Sequence, residues 1–189
     1  MKILYLIPLF IVLSSCNQEK KVEVQPTEKI SPEEAKKEID QTVLLSNITK
    51  HKFSNPTVED EFKLTITGKS ILEGEMNFTI TDAKGVQIFT NTLSSDYLIG
   101  FGSNDGGSMT NEEQVAYITK RVQDFFNEEN FVKPVITKET KLEGASVNKL
   151  TWEEFKSEPK LIGFTYLLGK EDRRNIIFSR NREVVLNYN

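Results

Sequence analysis

Apolar and polar residues alternate along several short segments of this chain. The alternation covers residues 62–67 and 76–81, and a third run follows over 86–93. A period of two is typical of strands that bury one face, so each run predicts a strand. The segment Asp82-Ala83-Lys84-Gly85 predicts the turn before the third run, because Gly85 suits a positive φ.

Three further alternating runs lie near the end of the chain and begin at Ile162, Ile176 and Val184. The polar segments 169–172 and 180–182 separate them and predict tight turns. The sequence therefore predicts a three-stranded antiparallel meander in this region.

Helical signals occur in three places. Ser31 and Glu34 form a capping box, and the apolar positions after it predict a helix from Pro32 to about Leu45. A short helix is predicted to begin at Thr151 and to end before Pro159.

The strongest helical pattern follows a second capping box, formed by Thr110 and Glu113. Apolar residues recur there at spacings of three and four, which predicts a helix with one buried face. The residues of this stripe are Val115, Ile118, Val122, Phe125 and Phe126.

Taken together, these elements predict an α+β fold. About six strands form one antiparallel sheet, and one main amphipathic helix and one or two shorter helices pack on one face of it. Strict alternation of strands and helices, which would indicate a parallel sheet, is not found in the sequence.

The first sixteen residues carry a different signal. Lys2 precedes an apolar run over residues 3–13, and Leu13-Ser14-Ser15-Cys16 follows. As a helix, the run would rise about 16 Å, roughly half the hydrocarbon core of a bilayer. The segment resembles the signal peptide and lipobox of bacterial lipoproteins. That resemblance implies diacylglycerol on the Cys16 thiol, cleavage before Cys16 and acylation of the new amino terminus.

On this basis the chain divides into three parts. Residues 1–15 are the signal peptide, residues 16–30 are a flexible polar tether, and residues 31–189 form a single α+β domain. Acyl chains on Cys16 would hold the protein at a membrane surface. Asn17 is not the Asp that retains lipoproteins in the inner membrane of enteric bacteria. We therefore expect an outer-membrane location facing the periplasm.

Composition narrows the possible functions. The net charge is −4, and removal of residues 1–15 takes away only one charge, Lys2. A chain this mildly acidic is not expected to bind nucleic acid.

His51 is the sole histidine and is expected in a solvated loop, and Cys16 is the sole cysteine. We accordingly predict no catalytic residue, no metal site and no cofactor.

A glycine-rich segment lies between the third strand and the main helix. Its interpretations are a mobile loop, a partner-contact loop, a phosphate-binding turn or a weak calcium site through Asn104 and Asp105. A mobile loop is the interpretation that the composition favours most, and partner contact is the candidate functional role. The residues are Gly100, Phe101, Gly102, Ser103, Asn104, Asp105, Gly106 and Gly107.

The sequence thus favours a non-enzymatic envelope lipoprotein that binds a protein partner of the envelope. Two alternatives stay open. The protein could be an inhibitor or immunity-type lipoprotein that neutralises a toxin or a hydrolase. It could also be a small-ligand-binding or hydrolytic domain with a cavity between helix and sheet.

Lipidation of Cys16 can be tested directly. Cells fed a clickable palmitate analogue should label the wild-type chain, whereas Cys16→Ser should remain unlabelled because it lacks the acylated thiol. Gel fluorescence normalised to chain abundance measures the effect. Equal labelling of both chains would show that Cys16 is not the anchor.

Overall fold

The computed structural model describes residues 42–100, 109–137, 140, 147–169 and 171–188. Within these ranges two α-helices lie among eight strands, and a 3-10 turn over Ser95–Leu98 follows the fourth strand. The helices are α1 (Asn111–Asp124) and α2 (Lys149–Ser157). The strands are β1 (Val43–His51), β2 (Asp60–Thr67), β3 (Glu75–Thr81), β4 (Gln87–Ser94), β5 (Phe131–Val132), β6 (Gly163–Leu168), β7 (Asp172–Ser179) and β8 (Val184–Asn187).

The strands form two antiparallel sheets of four strands each, ordered β1-β2-β3-β4 and β5-β6-β7-β8. The α+β class and the antiparallel pairing are confirmed. The prediction of one sheet of about six strands is wrong. Each strand pairs with its neighbour in sequence, and the long connection that contains α1 separates the two meanders. The C-terminal meander is present as β6-β7-β8.

β1 was not expected, because its inward positions include the polar residues Asn47 and Thr49 and so conceal the period of two. The helix predicted to reach Leu45 is wrong at its end, since Val43 and Leu45 pair with β2. The rest of that helix lies outside the described residues.

Asn47 Nδ2 donates hydrogen bonds to the carbonyl oxygens of Val122 at 2.8 Å and of Gln123 at 3.1 Å. Two backbone acceptors at the end of α1 therefore satisfy this inward amide.

The main core lies between the two sheets and is dominated by aromatic rings. Phe62 and Phe78 of the first sheet and Phe164 of the second are fully buried. The predicted stripe of α1 contributes to this core through Ile118 and Val122, and the rings that follow the helix also enter it. Phe78 is central, since six other rings have their centroids within 6.2 Å of it: Phe62, Phe89, Phe125, Phe126, Phe164 and Tyr166.

α2 packs on the other face of the second sheet. Its Phe155 joins Ile177 and Tyr188 in a second hydrophobic cluster, where burial raises the pKa of Tyr188 to about 12. The two helices therefore contact different faces, and the expectation that they share one face is wrong. The helix begins earlier than predicted, because the side chain of Asn148 accepts from the backbone N–H of Thr151 and caps it.

Phe78→Ala should lower the free energy of unfolding by about 3–5 kcal/mol, because it removes a ring that six others contact. Urea denaturation followed by circular dichroism measures this change. Thr79→Ala is the matched control, since its side chain points to the opposite face of the same strand, and it should cost less than about 1 kcal/mol. Similar losses in both variants would contradict the central place of Phe78.

Candidate functional site

An open cleft of about 610 Å³ lies at one end of the two sheets, where the β1–β2 loop, the β3–β4 turn and the β7–β8 turn meet. We call it the end cleft. Its lining comes from three separate parts of the chain and from both sheets. The lining residues are Ser54, Asn55, Val58, Asp60, Asp82, Ala83, Lys84, Val86, Ile88, Phe178, Arg180 and Glu183.

One wall of the end cleft is apolar. Val58 and Val86 are 43% and 55% exposed, although the turns that carry them are otherwise mostly polar. Ile88 and Phe178 continue this wall towards the core, where both residues pack. Exposed apolar side chains inside a polar rim are a common property of binding sites.

Hydrogen bonds to a buried carboxylate fix the β1–β2 loop. Asp60 is 1% exposed, and its two oxygens accept from the Ser54 backbone N–H at 2.5 Å and the Ser54 hydroxyl at 2.8 Å. A charge buried this deeply requires such donors, since it would otherwise lose its hydration uncompensated. Asp60 therefore holds the side of the cleft that carries Val58.

Arg180 joins the β7–β8 turn to its surroundings. Its guanidinium forms an ion pair with Glu158 at the end of α2, and its Nε donates to the Ser54 carbonyl oxygen at 3.4 Å. The side chain is 28% exposed, so water screens the pair less than a fully solvated one. Arg180 therefore connects the β7–β8 turn of the second sheet to the β1–β2 loop of the first sheet and to the end of α2.

The β3–β4 turn is held by its own aspartate. Asp82 Oδ1 accepts from the backbone N–H groups of Lys84 at 2.9 Å and Val86 at 2.8 Å. Gly85 has a φ of 84°, which confirms the predicted role of this glycine. The side chains of Lys84 and Glu183 form no ion pair with another described residue, so they leave one charge of each sign at the rim.

The end cleft offers an incoming group apolar side chains and polar rim groups. Two of its three carboxylates, those of Asp60 and Asp82, accept hydrogen bonds that shape the loops. Within the described part of the chain, no group of three His, Cys, Asp or Glu residues could hold a metal ion.

A smaller cleft of about 260 Å³ lies near the end of α1, and it is more polar. Arg121 donates to the Leu167 carbonyl oxygen, and Asn130 Nδ2 donates to the Phe125 carbonyl oxygen at 3.0 Å. Burial raises the pKa of Tyr166, while a hydrogen bond from Asn91 acts in the opposite direction. The Arg121 hydrogen bond connects α1 to the second sheet, and the bond from Asn91 to Tyr166 connects the two sheets, so we assign this cleft a structural role.

The predicted functional residues fall mostly outside the described residues, which include neither Cys16 nor residues 101–107. Gly100 is described, at the end of the sheets opposite the end cleft. A Cβ atom on Gly169 would lie 2.6 Å from the Gly100 Cα, and the φ of Gly100 is 117°. The absence of a side chain on Gly169 therefore allows the β6–β7 turn to pack closely against the backbone of Gly100.

The prediction of a solvated loop for His51 is wrong. His51 is the last residue of β1, and its side chain is 21% exposed. The imidazole stacks on Phe131 with centroids 3.8 Å apart, and its Nε2 lies 3.5 Å from Glu128 Oε2. The ring thus joins the edge strands of the two sheets, and this structural role explains its burial.

No motif indicated the end cleft, because its residues are far apart in sequence. The available signal was the presence of Val58 and Val86 in polar turn segments. Compared with protein-family models, curated proteins and solved structures, the chain matches none. No helix within the described ranges is both long enough and apolar enough to cross a membrane.

Asp60→Ala should lower the free energy of unfolding by about 1–3 kcal/mol, because it leaves the Ser54 N–H and hydroxyl without their acceptors. Urea denaturation at neutral pH measures the loss. Glu61→Ala, at the adjacent position on the other face of β2, is the control and should change the stability by about 0.5 kcal/mol or less. If Asp60→Ala unfolds at the wild-type urea concentration, Asp60 does not hold the loop.

Proposed function

We propose that this chain is a lipid-anchored envelope protein whose folded domain binds a protein partner through the end cleft. The observation that carries the proposal is the exposed apolar wall of Val58 and Val86, placed between loops that hydrogen bonds hold in position. The partner inserts an apolar side chain against this wall. No chemical step is required of the domain.

The energetics suit this role. Covering two half-exposed valines and a matching apolar side chain removes enough surface from water to contribute a few kcal/mol. The charged rim, with Lys84 and Glu183, can contact polar groups of either sign on an approaching chain. An apolar centre inside a polar rim is the usual arrangement of protein interfaces. Because the loops are already ordered, binding loses little conformational entropy there.

The location in the cell completes the proposal. The resemblance of Leu13-Ser14-Ser15-Cys16 to a lipobox supports an acyl anchor on Cys16, with residues 16–30 as the tether. The domain would then meet partners within reach of the outer membrane on the periplasmic side. An inhibitor or immunity role is a special case of the same binding, in which the partner is a toxin or a hydrolase.

Photo-crosslinking in intact cells tests the site. A benzophenone amino acid in place of Val86 should give a specific adduct with a partner, identified by mass spectrometry. The same probe at Thr79, on the outer face of the first sheet, should give none.

A second substitution shows whether the cleft itself is responsible. Val58→Asp in the Val86 probe chain should reduce the adduct about tenfold, because it places a charge on the apolar wall. The melting temperature of this variant serves as the folding control. Adducts of equal yield at positions 86 and 79, or a yield that Val58→Asp leaves unchanged, would exclude the end cleft as the binding site.

A further inference from the structure

The outer edge of β4 forms no strand pairing among the described residues, although β8 of the second sheet lies close to β4 without pairing with it. β4 pairs with β3, and no second strand among the described residues pairs with its other side. Residues 87–94 contain no charged side chain and no proline. Charges and prolines are the usual means by which proteins prevent an edge strand from pairing with another chain.

The other sheet edges are very short, or carry charged residues and lie under a helix. β1 carries Lys50 and His51, and the end of α1 covers it through the hydrogen bonds of Asn47. β5 has only two residues and β8 only four. Short or covered edges are poor templates for pairing, so β4, with eight residues, is the edge suited to it.

The inward side chains of β4 leave part of the core exposed. Phe89 and Leu93 are half-buried, whereas the β3 residues opposite them, Ile80 and Met76, are fully buried. An additional strand beside β4 would cover these two apolar side chains.

The sequence of β4 is complementary to itself about Asn91. In an antiparallel pair centred on that residue, Phe89 faces Leu93 of the second copy on the inner side. Thr90 faces Thr92 on the outer side. One pair joins two apolar side chains, the other joins two threonines, and no two charged side chains face each other.

We infer that two copies of this chain associate through antiparallel pairing of their β4 strands, which joins the two first sheets into one continuous sheet. A two-fold axis through Asn91 makes the contact closed, so association stops at the dimer. The inference does not depend on the proposed function of the end cleft.

Sedimentation equilibrium of the full chain in density-matched detergent tests the association. The wild type should approach twice the monomer mass as concentration rises. Thr90→Lys/Thr92→Lys should weaken the dimer roughly tenfold or more, because each lysine then faces a lysine of the second copy. The control Thr79→Lys/Thr81→Lys adds the same charge to the same sheet on β3 and should leave the dimer intact.

Cysteine pairing tests the register. In a Cys16→Ser background the engineered thiols are the only ones. A mixture of Thr90→Cys and Thr92→Cys chains should form a mixed disulfide much faster than either chain forms a disulfide with itself. Both positions are on the outer face, and unchanged melting temperatures verify folding. A monomeric wild type at all concentrations would overturn the inference, as would mixed and self-disulfides forming at equal rates.

Discussion

Packing of aromatic rings around Phe78 is the interaction on which the arrangement of the two sheets depends. This ring belongs to the first sheet, yet it contacts Phe164 and Tyr166 of the second and the rings that follow α1. Because rings have fixed shapes and prefer edge-to-face contacts, such a core defines the separation of the layers as well as their attraction. The separation of the two sheets in turn determines the positions of the loops at their ends.

The local elements could be predicted from sequence because their signals are local. The alternation in β2 and β3 and the capping box of Thr110 and Glu113 both lie within a few residues. β1 could not be predicted, because Asn47 occupies an inward position that only the end of α1 makes acceptable. The division into two sheets was also missed, since it depends on pairings that the period of a strand does not specify.

The end cleft was even harder to predict from local sequence signals. Its apolar wall combines Val58 and Val86 from different loops, and its frame depends on a buried aspartate that no pattern in the sequence singles out. Asp60 and Arg180 became informative only when their partners in space were known. Where hydrogen bonds fix a loop, its apolar residues can stay exposed without the loop collapsing onto the core, and the proposed binding depends on that exposure.

The contact between Gly100 and Gly169 has a consequence for how this protein can vary. Two backbones touch there, so a methyl group on Gly169 would force the β6–β7 turn away from the end of the 3-10 turn at Gly100. A left-handed φ and the lack of room for a Cβ both act at Gly169, so natural variation should spare this residue.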